Sequence, residues 1–324
     1  RLKATLASKA DVKMRLGTDQ IEGRIDLSTS AGTLHLPEHL AEPVPLGGGS
    51  MTLNISDGGH VIAADGSLDV GGPLIAIRAQ LGRGGTGWGL LVDGGVSDLP
   101  LNDLRTYWPP DFNPGTHEWI TENLRDGTVD GVTFRLQGWM DGLDIDSLQI
   151  DELTGKIDFS GVATHYYRPL PPVLDSNGSA TFNQTSFDIQ IYSGQLRGLS
   201  VKEGSNVFIS NVGTDRLEVA SVDLSVQGPL ADALWVLDQE PLGYAAEIGL
   251  NPATVEGLAG ARLKFEIPLL KDLKFEEVKI GAAANLSNVA IQDAIETADL
   301  TEGELELDVT GTGMKVSGTA MILG

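Results

Sequence analysis

The sequence contains no cysteine, which excludes disulfides, cysteine-ligated zinc and thiol catalysis. Basic residues are also scarce: 22 Lys and Arg stand against 45 Asp and Glu, giving a formal net charge of -23. We therefore expect no nucleic acid partner, because phosphate binding requires concentrated Lys and Arg. Such an acidic surface favours solubility and, on average, repels an anionic membrane.

Long hydrophobic runs are missing too. No stretch approaches the ~18 apolar residues that a membrane helix needs, and no signal peptide is visible. The chain starts at Arg1 instead of Met, so we expect an excised segment whose anchor or export signal lies upstream. Apolar residues make up 41% of the sequence, too many for intrinsic disorder, so the chain is predicted to fold.

Catalytic signatures are absent from the pattern of residues. The sequence has no Gly-x-Ser-x-Gly elbow, P-loop lysine motif or kinase signature. Gly82, Gly84 and Gly87 have the spacing of a dinucleotide-binding loop, but strand-like residues follow where that loop needs a helix. These glycines are interpreted as a hairpin turn. We predict no catalytic residue, no metal ligand and no cofactor.

Two groups of titratable residues are interpreted as solvated surface. The first is the acidic run Asp141, Asp144, Asp146, Asp151 and Glu152. Its spacing fails the calcium-binding EF-hand pattern, and alternation from Asp144 to Ile150 favours a strand. The second group is His117, Glu118 and Glu122 on a predicted helix, where no second His follows at zinc-protease spacing.

Glycine and β-branched residues dominate what is present. The 41 glycines and many Thr, Ser, Val and Ile residues favour strands joined by tight turns. Apolar and polar residues alternate through 157–161, 187–191, 263–267 and 305–309, which gives each strand one apolar face. We predict a mainly β fold: a long, curled antiparallel sheet that forms an open apolar groove.

Two short helices interrupt the predicted strands, near residues 100–126 and 229–240. Asn113 and Pro114 favour the start of the main part of the first, which ends at Gly127. Trp119 and Trp235 on these helices are interpreted as core anchors. We predict a β-rich N-terminal segment of the groove over residues 1–98 and a β-rich domain carrying both helices over residues 99–324.

Several segments resemble the AsmA-like family, in particular its large YhdP-type and TamB-type periplasmic proteins. The similar segments are Tyr107–Pro110, Trp119–Gly127, Leu153–Phe159, Pro169–Val173, Gly178–Phe182, Gln227–Leu230, Gly249–Pro252 and Leu300–Leu305. They cover the chain from about Leu99 to the C-terminus. These are signatures of a fold and contain no catalytic motif.

The resemblance implies a periplasmic protein held in the inner membrane by an upstream anchor, and a relative of the chorein-type bridge-like lipid transfer proteins. It implies transport of phospholipids between the inner and outer membranes, with outer-membrane or periplasmic proteins as further partners. Acyl chains are expected in the groove, whose candidate lining residues are Phe159, Phe182, Phe187, Ile189, Ile191, Leu224, Val226, Phe265 and Ile267. The alternative is that these residues pack against each other in a closed sandwich or barrel.

Three functions are therefore compared. The first is a lipid-binding β-groove without chemistry of its own, and the second is a structural or interaction β module of the cell envelope that binds no lipid. The third, a glycan-processing enzyme, requires two carboxylates roughly 5 to 10 Å apart in a cleft. No carboxylate pair stands out in the sequence, so this function ranks last.

Overall fold

The computed structural model describes residues 3–17, 21–35, 40, 42–108, 114–240, 242–243, 249–270, 273–295, 298–310 and 313–323. Among these residues, eighteen strands are hydrogen-bonded into a large antiparallel sheet, and three short strands form a small separate sheet. The predicted mainly β, antiparallel fold with few short helices is confirmed. In the described part of the chain, no helix is long and apolar enough to span a membrane.

The chain divides into two compact units, which are described separately. The first contains Arg1–Phe159 and Thr181–Gln184, and the second contains Ser160–Ala180 and Thr185–Gly324. The proposed boundary between residues 98 and 99 stays a prediction.

The strands in the first half of the chain are β1 (Lys3–Thr5), β2 (Ser8–Leu16), β3 (Ile21–Thr29), β4 (Gly32–His35), β5 (Val44–Leu46), β6 (Gly48–Ser56), β7 (Val61–Asp69), β8 (Leu74–Gly84), β9 (Gly87–Pro100), β10 (Leu124–Arg125), β11 (Thr128–Asp141) and β12 (Gln149–Thr164). In the first unit, β2, β3, β6, β7, β8, β9 and β11 pair antiparallel in that order. Strands β1, β4 and β5 form the small sheet. Gly84 lies opposite Gly87 in the β8–β9 hairpin, which confirms the hairpin interpretation.

The strands that follow are β13 (Val173–Asn183), β14 (Ser186–Leu196), β15 (Leu199–Val201), β16 (Ser205–Ser210), β17 (Val219–Pro229), β18 (Val255–Pro268), β19 (Lys279–Ile295), β20 (Ala298–Thr310) and β21 (Gly313–Leu323). In the second unit, β17 to β21 pair antiparallel in chain order. Between β14 and β17 lie two short strands, β15 and β16. Ser205, at the start of β16, is fully buried. Its hydroxyl donates a hydrogen bond to Lys202 O and accepts one from Ser225 N, which links β16 to β17.

Three α-helices are present among the described residues: α1 (Leu104–Tyr107), α2 (Pro114–Asn123) and α3 (Leu230–Leu237). Both predicted helical regions are therefore confirmed, although α2 ends before Gly127 because Leu124–Arg125 is extended. The predicted cap Asn113 lies outside the described residues.

Two interpretations of local sequence were wrong. Residues Asp144 to Ile150 are not one strand, since Ile145–Ser147 forms a 3-10 turn before β12 begins. The turn forms because Asp144 Oδ1 accepts from Asp146 N and the Ser147 hydroxyl donates to Asp144 O. Trp119 is not a core anchor, because 44% of its surface is exposed.

Candidate functional site: the apolar sheet faces

One face of the second unit is apolar across its strands. Residues directly opposite in an antiparallel ladder share a face and lie ~4.8 Å apart between strands. One row across five strands is Ile189, Val207, Val222, Phe265 and Ile280. A second row is Leu224, Leu263, Ala282, Val309 and Met314. Both rows lie on the same face because residues two apart along a strand point the same way.

Seven of the nine predicted lining residues belong to this face: Phe187, Ile189, Ile191, Leu224, Val226, Phe265 and Ile267. All seven are half-buried, so each keeps part of its side chain accessible. Phe159 and Phe182 are half-buried as well but belong to the first unit, where the Phe182 ring contacts the backbone of Gly155. The structure thus groups seven candidates on one face and places two elsewhere.

The helix α3 covers one end of this apolar face. Leu230 and Leu234 of the helix form a buried cluster with Val255 and Ala259 of β18 and with Val289 of β19. Leu286 and Leu305 also pack against this cluster. The face is therefore covered by the protein itself at Ala259 and only half-buried at Leu263 and Phe265 on the same strand.

The opposite face of the second unit is polar and charged. Arg262 donates from Nε and a terminal nitrogen to the two carboxylate oxygens of Asp223, at 2.6 and 3.0 Å. This hydrogen bonding holds the pKa of Asp223 below its ordinary value. Lys279 donates to Glu266 at 2.8 Å on the same face.

A shallow depression of about 430 Å³ lies on this polar face, with Asp223 and Glu266 among its lining residues. Both carboxylates are ion-paired, Asp223 with Arg262 and Glu266 with Lys279. The lowered pKa of Asp223 is the reverse of the raised pKa that a catalytic general acid needs. The arrangement does not favour the glycan-processing hypothesis.

An apolar face also runs across the first unit. One row crosses all seven consecutively paired strands and consists of Val12, Ile25, Leu53, Ala64, Ala79, Val92 and Leu136. Met51 and Ile77, on the same face, are 40% and 39% exposed. One end is covered, since Val44 and Leu46 of β5 form a buried cluster with Val70, against which Leu68 and Ile75 pack.

The polar face of the first unit carries a ladder of alternating charges. Asp65, Arg78, Asp93 and Arg135 lie directly opposite one another on β7, β8, β9 and β11. Arg78 Nε donates to Asp65 at 2.9 Å, and Arg135 Nε donates to Asp93 at 2.7 Å. The Arg135 hydrogen bond lowers the pKa of Asp93. Cross-strand pairs of this kind fix the register that keeps the apolar residues on one side.

Sequence reasoning named no residue of the apolar row that crosses β2 to β11 in the first unit. Alternation in β8, where Ile75, Ile77, Ala79 and Leu81 share a face, was the available signal. Ala282 and Ala284 of the second unit were also missed, because alanine gives only a weak apolar signal in an alternation pattern.

A family model described as YhdP protein matches residues 3–317 of this chain. No curated protein and no solved structure matches the sequence.

Proposed function

We propose that this chain, which belongs to the YhdP family of envelope proteins, binds phospholipid acyl chains on its apolar sheet faces. In this proposal it acts in the periplasm, takes part in lipid transport between the inner and outer membranes, and performs no chemistry of its own. The observation that carries the proposal is the row of half-buried apolar residues in the second unit, from Ile189 to Ile280, backed by a charged face.

The energetic argument is that half-buried apolar side chains gain from an apolar ligand. Each CH2 group removed from water contributes ~0.8 kcal/mol. An acyl chain in contact with Val222, Phe265 and Ile280 would cover surface that the protein leaves partly accessible. The adjacent polar residues Ser221, Lys264 and Glu266 point to the other face, so they do not interrupt the contact.

A structural or interaction β module without lipid is the second candidate. The observation that favours it is that the protein itself covers one end of each apolar face. The covered residues include Val255 and Ala259 in the second unit, and the cover in the first unit is formed by Val44 and Leu46. If the remaining residues of each face are covered in the same way, no lipid is needed.

Native mass spectrometry of the purified 324-residue chain, with and without incubation with phosphatidylethanolamine vesicles, separates the two functions. We expect bound phospholipid in the wild type, and its loss in Phe187→Asp and Phe265→Asp. Ser221→Asp is the matched control, since it adds the same charge on the polar face. A lipid-free wild type after incubation would favour the structural module. Equal loss of lipid in all three variants would show that charge alone, and not the apolar face, decides binding.

A further inference from the structure

The helix α3 divides the apolar face of the second unit into a covered part and a half-buried part. Ala259 is 6% exposed beneath Leu230 and Leu234. The residues that follow it on the same face of β18 are all half-buried: Ala261, Leu263, Phe265 and Ile267. The uncovered strip along β18 therefore begins two residues beyond the helix contact.

The length of this strip is that of one acyl chain. Ala261 and Ile267 are six residues apart, which corresponds to ~20 Å of strand. One leaflet of a bilayer contributes ~15 Å of hydrocarbon, half of a core ~30 Å thick. A chain of that length therefore fits within the strip without reaching Ala259.

The side chain of Arg197 contacts two residues of α3. The Arg197 guanidinium lies 4.1 Å from the centre of the Trp235 ring, and Arg197 Nε donates to Asp232 Oδ1 at 2.5 Å. Asp232 and Trp235 are three residues apart, so they share one face of the helix. Arg197 thus contacts the side of α3 that does not face the cluster around Leu234.

The backbone around Arg197 fits this contact closely. Arg197 has a left-handed φ of 57° in the turn between β14 and β15. At Gly198 a Cβ atom would collide with the Asp232 carboxylate. The turn therefore brings its backbone against the helix and presents Arg197 to both partners.

We propose that α3 is a stop that limits how far an acyl chain extends across this apolar face, and that Arg197 is the positioning residue that holds the stop in place. This inference rests on the proposed lipid-binding function. The ligand is a phospholipid acyl chain that occupies the strip from Ala261 to Ile267. The helix excludes it from the buried Ala259 and from the half-buried Leu286 and Leu305, which pack against the cluster beneath the helix.

Photolabelling of the full chain tests the stop. The probe is a phosphatidylethanolamine with a diazirine near the end of a 16-carbon acyl chain, supplied in vesicles, and labelled residues are mapped by peptide mass spectrometry. In the wild type we expect label on β17 and β18 between Ala220 and Leu224 and between Leu263 and Ile267, and none on Ala259, Leu286 or Leu305.

The variant Arg197→Ala tests the positioning role. It should extend the label to Ala259, Leu286 and Leu305, and raise the hydrogen exchange rate of α3 amides about tenfold. Arg197→Lys, which keeps the charge beside Asp232 but not the planar contact with Trp235, should give a smaller increase.

The outcomes separate the two proposals. Label on Leu286 and Leu305 of the wild type at the level found on Phe265 would overturn the stop and leave lipid binding intact. A label pattern unchanged by Arg197→Ala would overturn the role of Arg197. No label on any apolar residue would overturn the proposed function itself.

Discussion

The ring of Phe134 on β11 lies against the backbone of Gly94, the residue directly opposite it on β9. A Cβ atom at Gly94 would collide with this ring. The glycine thus leaves the space that the large aromatic side chain of Phe134 occupies on the apolar face of the first unit. We expect Gly94→Ala to destabilise the fold by about 1–3 kcal/mol, because Phe134 must leave its position.

Urea unfolding followed by circular dichroism measures this effect. Gly82→Ala is the matched control, since Gly82 is also a strand glycine and a Cβ there meets nothing within 4 Å. Its effect should lie within about 0.5 kcal/mol of the wild type. Equal destabilisation by both substitutions would contradict the role of the Phe134 contact.

The cluster under α3 should be sensitive to loss of volume. Val289 is 1% exposed within it, so Val289→Ala removes two methyl groups from a packed site and should cost about 2 kcal/mol. Val316 on β21 is 50% exposed, and Val316→Ala should change the free energy of unfolding by less than about 0.5 kcal/mol. The same urea titration checks both, and similar values would show that α3 does not pack on the sheet.

The Asp223–Arg262 pair predicts a pH dependence of stability. The pKa of Asp223 is lowered in the folded state, so its stabilisation is complete above the unfolded value of about 3.9 and is lost as pH falls through the folded pKa. Asp223→Asn should therefore lose less stability than the wild type between about pH 7 and pH 2.5. Urea midpoints at several pH values test this. Glu256→Gln, at an exposed position on β18, should follow the wild-type curve.

Substitutions at two neighbouring residues of β8 should differ in their effect on the amount of bound phospholipid. Ile77 lies on the apolar face of the first unit and Ala76 on the polar face, and both are exposed. If the first unit also binds acyl chains, Ile77→Asp reduces the phospholipid that copurifies with the chain and Ala76→Asp does not. Native mass spectrometry of the two variants provides the comparison. Equal lipid content in both would place binding outside this face.

The alternation of apolar and polar residues within single strands could be predicted from the sequence. Phe187, Ile189 and Ile191 have the period of two that places them on one face, and the structure confirms both the strand and the shared face. Trp119 shows the limit of residue type as a guide, because a large aromatic on a short helix is as compatible with exposure as with burial.

Packing between residues distant in sequence could not be predicted from the sequence. The cover that α3 provides over Ala259 depends on how a helix lies across strands distant in sequence, including Val289. No periodicity reports such a contact. The turn at Asp144 was missed for another reason: side-chain hydrogen bonds to the backbone outweighed an alternation that favoured a strand.

Pairing between strands that follow one another along the chain has a consequence for how the length of such a protein can change. From β17 to β21 each strand pairs with the next one along the chain, and α3 packs on β18 and β19. Loss or gain of a whole hairpin would leave the remaining ladders in register and their apolar residues on the same side. Genes encoding such chains can therefore lengthen or shorten by duplication or deletion of hairpins, each copy adding ~10 Å of surface of the same kind.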